Sequence, residues 1–354
     1  MDKSIYCNKD YIAPTIAVFL LVIYQCLASQ KNFNGWLTSF MSIVIFYALF
    51  QIKKQEMLKL IEFITKSLAC FLALSLPFYF FYLLGFNLPN SSIVYGDYEY
   101  SFSNYYFFLI DDRFWTEIIP RFHSVFLEPG HLGTACALLL LTQCGKWKKW
   151  YCLILMLSIF LSFSLTGYIM LVVITFLNMW IQRKHILVKI IVVLFIVGCF
   201  IGGAFIYNHG NNLVHDLILL RMEIDDGELV GDNRVSESFE ADFENLLNSP
   251  SIIFGKELDL SIYENEGNSG FRVFLYENGI VGTFLLILFY YCTLRRGIDK
   301  RAIIAAIMAA TMEFIALAYP LWFCHFIPIF ITANVLDFTH STEQNKNENC
   351  LCTK

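Results

Sequence analysis

The chemistry legible in this chain rests on five side chains: Arg121, Arg234, Arg272, Glu128 and His131. Arginine presents a planar fork of N–H donors that matches phosphate oxygens. The three arginines lie in or beside long polar segments that are otherwise acidic. From His209 to Arg272 there are fourteen Asp/Glu against four Lys/Arg. Three such groups converging would suit a pyrophosphate. The plainer alternative is that each pairs with a neighbouring carboxylate. For Arg113 and Arg221, both flanked by acids, that alternative carries most of the weight.

Glu128-Pro129 has a mechanical reading. Proline is favoured in the first turn of a helix, where its missing N–H costs nothing. A helix is therefore expected to start near Pro129, with Gly130 and Gly133 leaving its first turn open. Such an N-terminus attracts anions. His131 follows Glu128 by three residues and faces roughly the same way. A carboxylate and an imidazole so placed can take the proton of an acceptor hydroxyl. The competing roles are capping for Glu128 and interfacial placement for His131.

The elements that must position these residues are apolar helices. Of 354 residues 57% are apolar and only 16% charged, and the mean hydropathy is +0.57. A soluble chain carries about a quarter charged residues. Crossing a hydrocarbon core of ~30 Å takes roughly 20 apolar residues. The pattern predicts an all-α, polytopic membrane protein of about ten spans. They fall at about 12–28, 35–52, 67–86, 125–143, 150–164, 167–182, 186–207, 271–293, 302–318 and 321–338. Pro77 is a kink in the third span. The run 150–181 would reach about 48 Å as one helix, and both its flanks are basic. Two short crossings broken at Ser164-Leu-Thr166-Gly167 account for both facts. The first apolar run is read as a span and not a signal peptide.

Thirteen Lys/Arg lie in the loops after the second, fourth, sixth and eighth spans. The positive-inside rule makes that side cytoplasmic, with both termini on it. Loop A, about 87–122, and loop B, about 208–270, then face outward. The domain comprises 1–338, and the tail 339–354 is expected to be disordered in the cytoplasm. Within loop B, Val235, Phe239, Phe243 and Leu246 recur at helical spacing. They predict an amphipathic helix ended by Asn248-Ser-Pro250, its apolar stripe serving packing. Glu313 and His325 are ionisable residues inside spans nine and ten, and a Glu–His pair is their simplest reading. None of the eleven cysteines falls in the two long loops, which argues against a disulfide framework. No metal ligand set stands out.

Arg121…Phe126-Leu-Glu128-Pro129-Gly130-His131-Leu-Gly133 resembles the Arg…Phe-x-Glu-Pro segment of bacterial polysaccharide polymerases of the O-antigen polymerase (Wzy) type. Leu161-Ser-Phe-Ser164-Leu-Thr166-Gly167-Tyr168 looks like that family's serine-rich break between short spans. Arg234, then Ser249-Pro250…Phe254-Gly255, is similar to its outer-loop pattern. Asn268-Ser-Gly-Phe271…Glu277-Asn-Gly279-Ile-Val-Gly282 resembles the entry to the span that follows. The ordered set covers about 121–290.

The resemblance implies a metal-independent glycosyltransferase without cofactor, in the bacterial cytoplasmic membrane. It would move a growing glycan from polyprenyl pyrophosphate onto the next lipid-linked oligosaccharide repeat. Arg121 and Arg234 would hold the pyrophosphate. Its partners would be the lipid-linked oligosaccharide, membrane lipid and, in the same pathway, a flippase and a chain-length regulator, with no nucleic acid. The product would be O-antigen, capsule or exopolysaccharide. The related O-antigen ligases carry a His before the exit span, where this chain has Asn268-Ser269. That departure puts a ligase-type catalytic base in doubt here; a ligase, the same chemistry with another acceptor, is the first rival. A polysaccharide transporter or flippase is the second, disfavoured because transporters keep charge near the midplane and show internal repeats.

Overall fold

The computed structural model describes residues 11–28, 33–52, 54–95, 100–112, 119–182, 186–210, 212, 215, 219–220, 224–225, 228–229, 236–258, 270–295 and 300–316. The chain is mostly helical. It forms two compact units, one from the described residues before Leu60 and after Asn233, the other from those between.

In the first unit, α1 (Ile12–Ala28) packs on α2 (Phe33–Gln51) and on α9 (Phe271–Leu294). Phe46 of α2 meets Phe289 of α9 edge to face at 5.2 Å. α8 (Glu237–Leu247) is capped by Ser236, whose hydroxyl accepts from the Phe239 amide. Its buried Phe239, Phe243 and Leu246 close on Tyr276 of α9. The stripe expected in loop B is thus core, although Val235 lies outside the described residues. α10 (Lys300–Ala316) completes the unit.

α9 is broken at Gly279, where φ is +60°. A Cβ there would sit 2.4 Å from the Gly255 amide nitrogen. The turn after Pro250 enters this gap, and the Tyr24 hydroxyl lies 2.7 Å from the Phe254 carbonyl and 2.9 Å from that of Asn278.

In the second unit, the part of α3 (Lys54–Leu83) from Leu60 onward leads into an antiparallel sheet of β1 (Ser91–Tyr95), β2 (Tyr100–Asn104) and β3 (Leu109–Asp111). Ser92 pairs with Ser103 and Phe102 with Asp111. This corrects the reading of loop A as plain loop and adds strands to an all-α expectation. The serine- and tyrosine-rich strands hide one apolar face: Phe102 is buried while Val94 is exposed. α3 also begins at Lys54, so the basic stretch before the third expected span is helical.

α4 (Pro129–Thr142), α5 (Trp150–Leu161), α6 (Leu165–Gln182) and α7 (Ile186–Ile206) follow. A short hairpin of β4 (Ile224–Asp225) and β5 (Glu228–Leu229) lies beyond them. α4 is buried from Leu132 through Thr142 without interruption. A helix apolar all round belongs at a centre, and α5 and α6 pack against it.

Among the described residues one helix, α9, is long and apolar enough to cross a membrane. A second candidate is α2 with α3, if the two count as one span. Five further apolar helices are shorter. Nine of the ten expected spans coincide with helices, but among the described residues α9 alone combines the length and the apolar character of a crossing. The tenth span and the tail lie outside the described residues.

Candidate functional site

The residues from Pro120 to His131 form one continuous loop and helix start. Aromatic packing fixes its beginning. The Tyr79 hydroxyl of α3 donates to the Pro120 carbonyl at 2.5 Å, and Tyr79 packs on Phe122 with ring centroids 5.0 Å apart. The Phe122 amide donates to the Leu161 carbonyl at 3.1 Å, and the Leu109 amide to the Ser124 carbonyl at 2.7 Å. The loop is thereby tied to α3, to β3 and to the end of α5. Ser124 takes a left-handed φ of +52° to make the turn.

Arg121 is partly exposed on this loop. His123, two residues on, is buried. Its Nδ1 contacts the Phe126 carbonyl, and a carbonyl can only accept, so Nδ1 carries the proton. Nε2 is left as a buried lone pair with no hydrogen-bond partner. Burial lowers the affinity of this imidazole for a second proton. The Phe126 carbonyl and Asp111 oppose that shift, and the charge of Arg121 adds to it.

Glu128 takes the N-cap position of α4 in extended backbone, with Pro129 in the first turn. Its carboxylate makes no capping hydrogen bond. It is half exposed and stands 3.9 Å from Nε2 of His131, which is 21% exposed. The carboxylate is thus open to solvent, with an imidazole beside it.

The first turn of α4 packs against the break between α5 and α6. A Cβ on Gly133 would lie 2.8 Å from the Gly167 Cα, and one on Gly167 would lie 3.1 Å from the Gly133 Cα. Only two glycines allow this approach. The chain doubles back at Ser162–Ser164. A Cβ on Gly167 would lie 3.6 Å from the Ile159 side chain, whereas eight residues of straight helix would separate them by about 12 Å. The Ser164 hydroxyl accepts from the Gly167 amide at 3.2 Å, and the Ser162 hydroxyl donates to the Ile159 carbonyl at 2.7 Å. Two helix N-termini, of α4 and α6, therefore meet beside the Arg121 loop.

Arg272 lies in the other unit. Its Nη1 donates to Oε1 of Glu240 at 2.7 Å, with both side chains about 70% covered. The pair joins the first turn of α9 to α8. This is the carboxylate pairing weighed against a phosphate role. Arg234 lies outside the described residues, as do Arg113, Arg221 and His325. The pairing of Glu313 with His325 falls there too.

Sequence reasoning assigned no role to His123. Its neighbours Phe122 and Val125 give no periodic signal; its importance comes from the turn that buries it. The serine break was legible, but not its contact with α4, which depends on two glycines thirty-four positions apart. Among the described residues, no three His, Cys, Asp or Glu side chains cluster as a metal site requires. No family model, curated protein or solved structure matches the chain.

Proposed function

We propose that the protein is a membrane-embedded polysaccharide polymerase acting on polyprenyl-pyrophosphate-linked oligosaccharides. One observation carries the reading. A loop tied down by Pro120, Phe122 and Ser124 carries Arg121 and runs into a proline-led helix start that bears an uncapped, accessible Glu128 with His131, beside a second helix N-terminus. Cation, helix dipoles and base candidate together suit transfer from a phosphorylated donor.

In the reaction, an acceptor hydroxyl attacks the anomeric carbon of the donor sugar. The bond from that carbon to the pyrophosphate oxygen breaks, and its electron pair stays on the pyrophosphate. Arg121 holds the growing negative charge; Arg234, the other candidate from the sequence, lies outside the described residues. Glu128 takes the hydroxyl proton, and His131 is placed to share it. Arg272 is the weakest of the arginine candidates, because Glu240 already occupies it.

Membrane embedding is supported by large apolar side chains exposed along α1, α2, α5, α7 and α9. Soluble monomers rarely expose contiguous apolar patches beyond a few hundred Å². Lys146, Lys148 and Lys149 follow α4 and mark the cytoplasmic side. The fourteen residues of α4 reach about 21 Å, short of a core of ~30 Å. The Glu128 cluster then lies about 10 Å below the outer headgroups. A pyrophosphate drawn down by its polyprenyl tail meets it there.

The test is polymer length in a deletion strain complemented with Arg121→Ala, Arg234→Ala or Glu128→Gln at equal protein levels. Loss of long chains, with single repeats left on the carrier lipid, is expected. Normal long chains from all three variants overturn the site. Full-length polymer stranded on the carrier after deletion would point instead to a ligase. Purified protein that moves lipid-linked repeats without joining them would point to a transporter.

A further inference from the structure

The turn between α4 and α5 carries a charge pattern that the proposed reaction leaves unused. Lys146, Lys148 and Lys149 are all exposed. They are held in place from beneath. The Gly145 amide donates to Oδ1 of Asn178 at 3.3 Å, and Nε1 of Trp147 donates to the Leu140 carbonyl at 2.9 Å. The Lys146 amide donates to the Gln143 carbonyl at 2.9 Å and the Lys149 amide to that of Lys146 at 3.0 Å. Glu62 of α3 is the carboxylate facing this turn; it pairs with Lys66 at 2.7 Å, and Lys146 and Lys149 also lower its proton affinity. Cations therefore outnumber carboxylates.

Directly after the lysines, α5 presents a two-faced helix. Tyr151, Cys152, Leu155, Ser158 and Ile159 are buried. Trp150, Leu153, Leu157 and Phe160 are about half exposed, at spacings of three, four and three. From Trp150 to Phe160 this apolar stripe rises about 15 Å, the depth of one leaflet of a ~30 Å core. An amphiphile with an anionic head at one end and an acyl chain one leaflet long matches both features at once. Neither a nucleic acid nor an acidic peptide would cover the stripe.

We infer that the Lys146–Lys149 turn and the outward face of α5 form a binding site for an anionic membrane phospholipid. The phosphate sits among the ammonium groups, and an acyl chain lies along Trp150, Leu153, Leu157 and Phe160. The site rests on the membrane-embedded reading but not on glycosyl transfer, since none of its residues belongs to the Glu128 cluster.

Trp150 supplies the probe. Full-length protein is reconstituted in phosphatidylcholine vesicles containing a minor fraction of chain-brominated phosphatidylglycerol or, separately, chain-brominated phosphatidylcholine. Tryptophan quenching is then compared between the two. Brominated phosphatidylglycerol is expected to quench more. The excess should fall in Trp150→Phe, which keeps every charge and leaves Trp147 of the same turn. It should vanish in the triple variant Lys146→Gln, Lys148→Gln, Lys149→Gln. At about fivefold per basic side chain, the triple change lowers the lipid preference on the order of a hundredfold. Equal quenching by the two lipids in the unaltered protein overturns the inference, as does an excess that is undiminished in Trp150→Phe or that survives the triple variant. Polymer formation by the triple variant, measured in the complemented strain, separates this outcome from that of the polymerase reading.

Discussion

His123 shows how one side chain sets the geometry of its neighbours. Its Nδ1–H is spent on the Phe126 carbonyl, closing the turn between Arg121 and Glu128. Asparagine can place an amide N–H where Nδ1 stands, whereas glutamine places it nearer Nε2. His123→Asn is therefore expected to keep stability and polymer length close to those of the unaltered protein. His123→Gln strands a buried carbonyl and should cost about 1–3 kcal/mol, with shortened polymer. Thermal unfolding of the two variants checks this; equal loss in both would sink the positioning role. The same residue sets a pH dependence. Burial keeps it neutral when folded, while in the unfolded chain it takes a proton near pH ~6.5. Below about pH 6.5 the unfolded chain binds the extra proton, so stability falls as pH falls until the lowered folded value is passed. At higher pH this contribution is fully present. The unfolding midpoint should drop on acidification in the unaltered protein and drop less in His123→Asn.

At the scale of elements, α4 is the member that α5, α6 and the Arg121 loop share. Its contact with α6 depends on backbone meeting backbone at Gly133 and Gly167. A methyl group at Gly133 would stand 2.8 Å from a Cα that no rotamer can move. Overpacking of this kind typically costs about 1–3 kcal/mol. Gly133→Ala should therefore lower the unfolding midpoint and, by shifting the serine turn from the α4 N-terminus, shorten polymer as well. Gly198→Ala, where a Cβ meets nothing within 4 Å, is the control and should leave both unchanged. If Gly133→Ala behaves like the control, the close approach of the two helices is not what holds the site. The sheet β1–β3 has a parallel task. Its buried Phe102 meets the His123 ring edge to face at 6.0 Å, while Phe108 and Phe122 both pack on Tyr79, so the loop carrying Arg121 is set among packed aromatic rings.

At the scale of the whole molecule, the exposed apolar side chains are what the proposed membrane embedding would cover. On α9 alone, Ile280, Phe284, Ile287 and Tyr291 lie exposed along one stripe. Alkaline carbonate washing of membranes strips peripheral proteins and leaves integral ones. The chain is expected to stay with the pellet, and its release into the supernatant would refute membrane embedding.

Local rules determined much of this protein from its sequence. Apolar runs placed α1, α2, α7, α9 and α10 within a few residues, because a long apolar run bounded by polar segments buries its backbone and satisfies its hydrogen bonds most simply as a helix. Proline after Glu128 placed the start of α4, and paired basic flanks with a serine break placed the α5–α6 turn. Helical spacing found α8 and its buried stripe. What local rules could not reach depends on residues far apart. The Gly133–Gly167 approach, the Arg272–Glu240 pair and the kink at Gly279 with the Gly255 turn inside it each join distant segments. The burial of His123 and the sheet under Arg121 likewise exist only once α3 and α5 are in place. Periodicity records which face of an element is apolar; only packing decides which other face it meets, and so which polar groups are spent on structure and which stay open to a substrate.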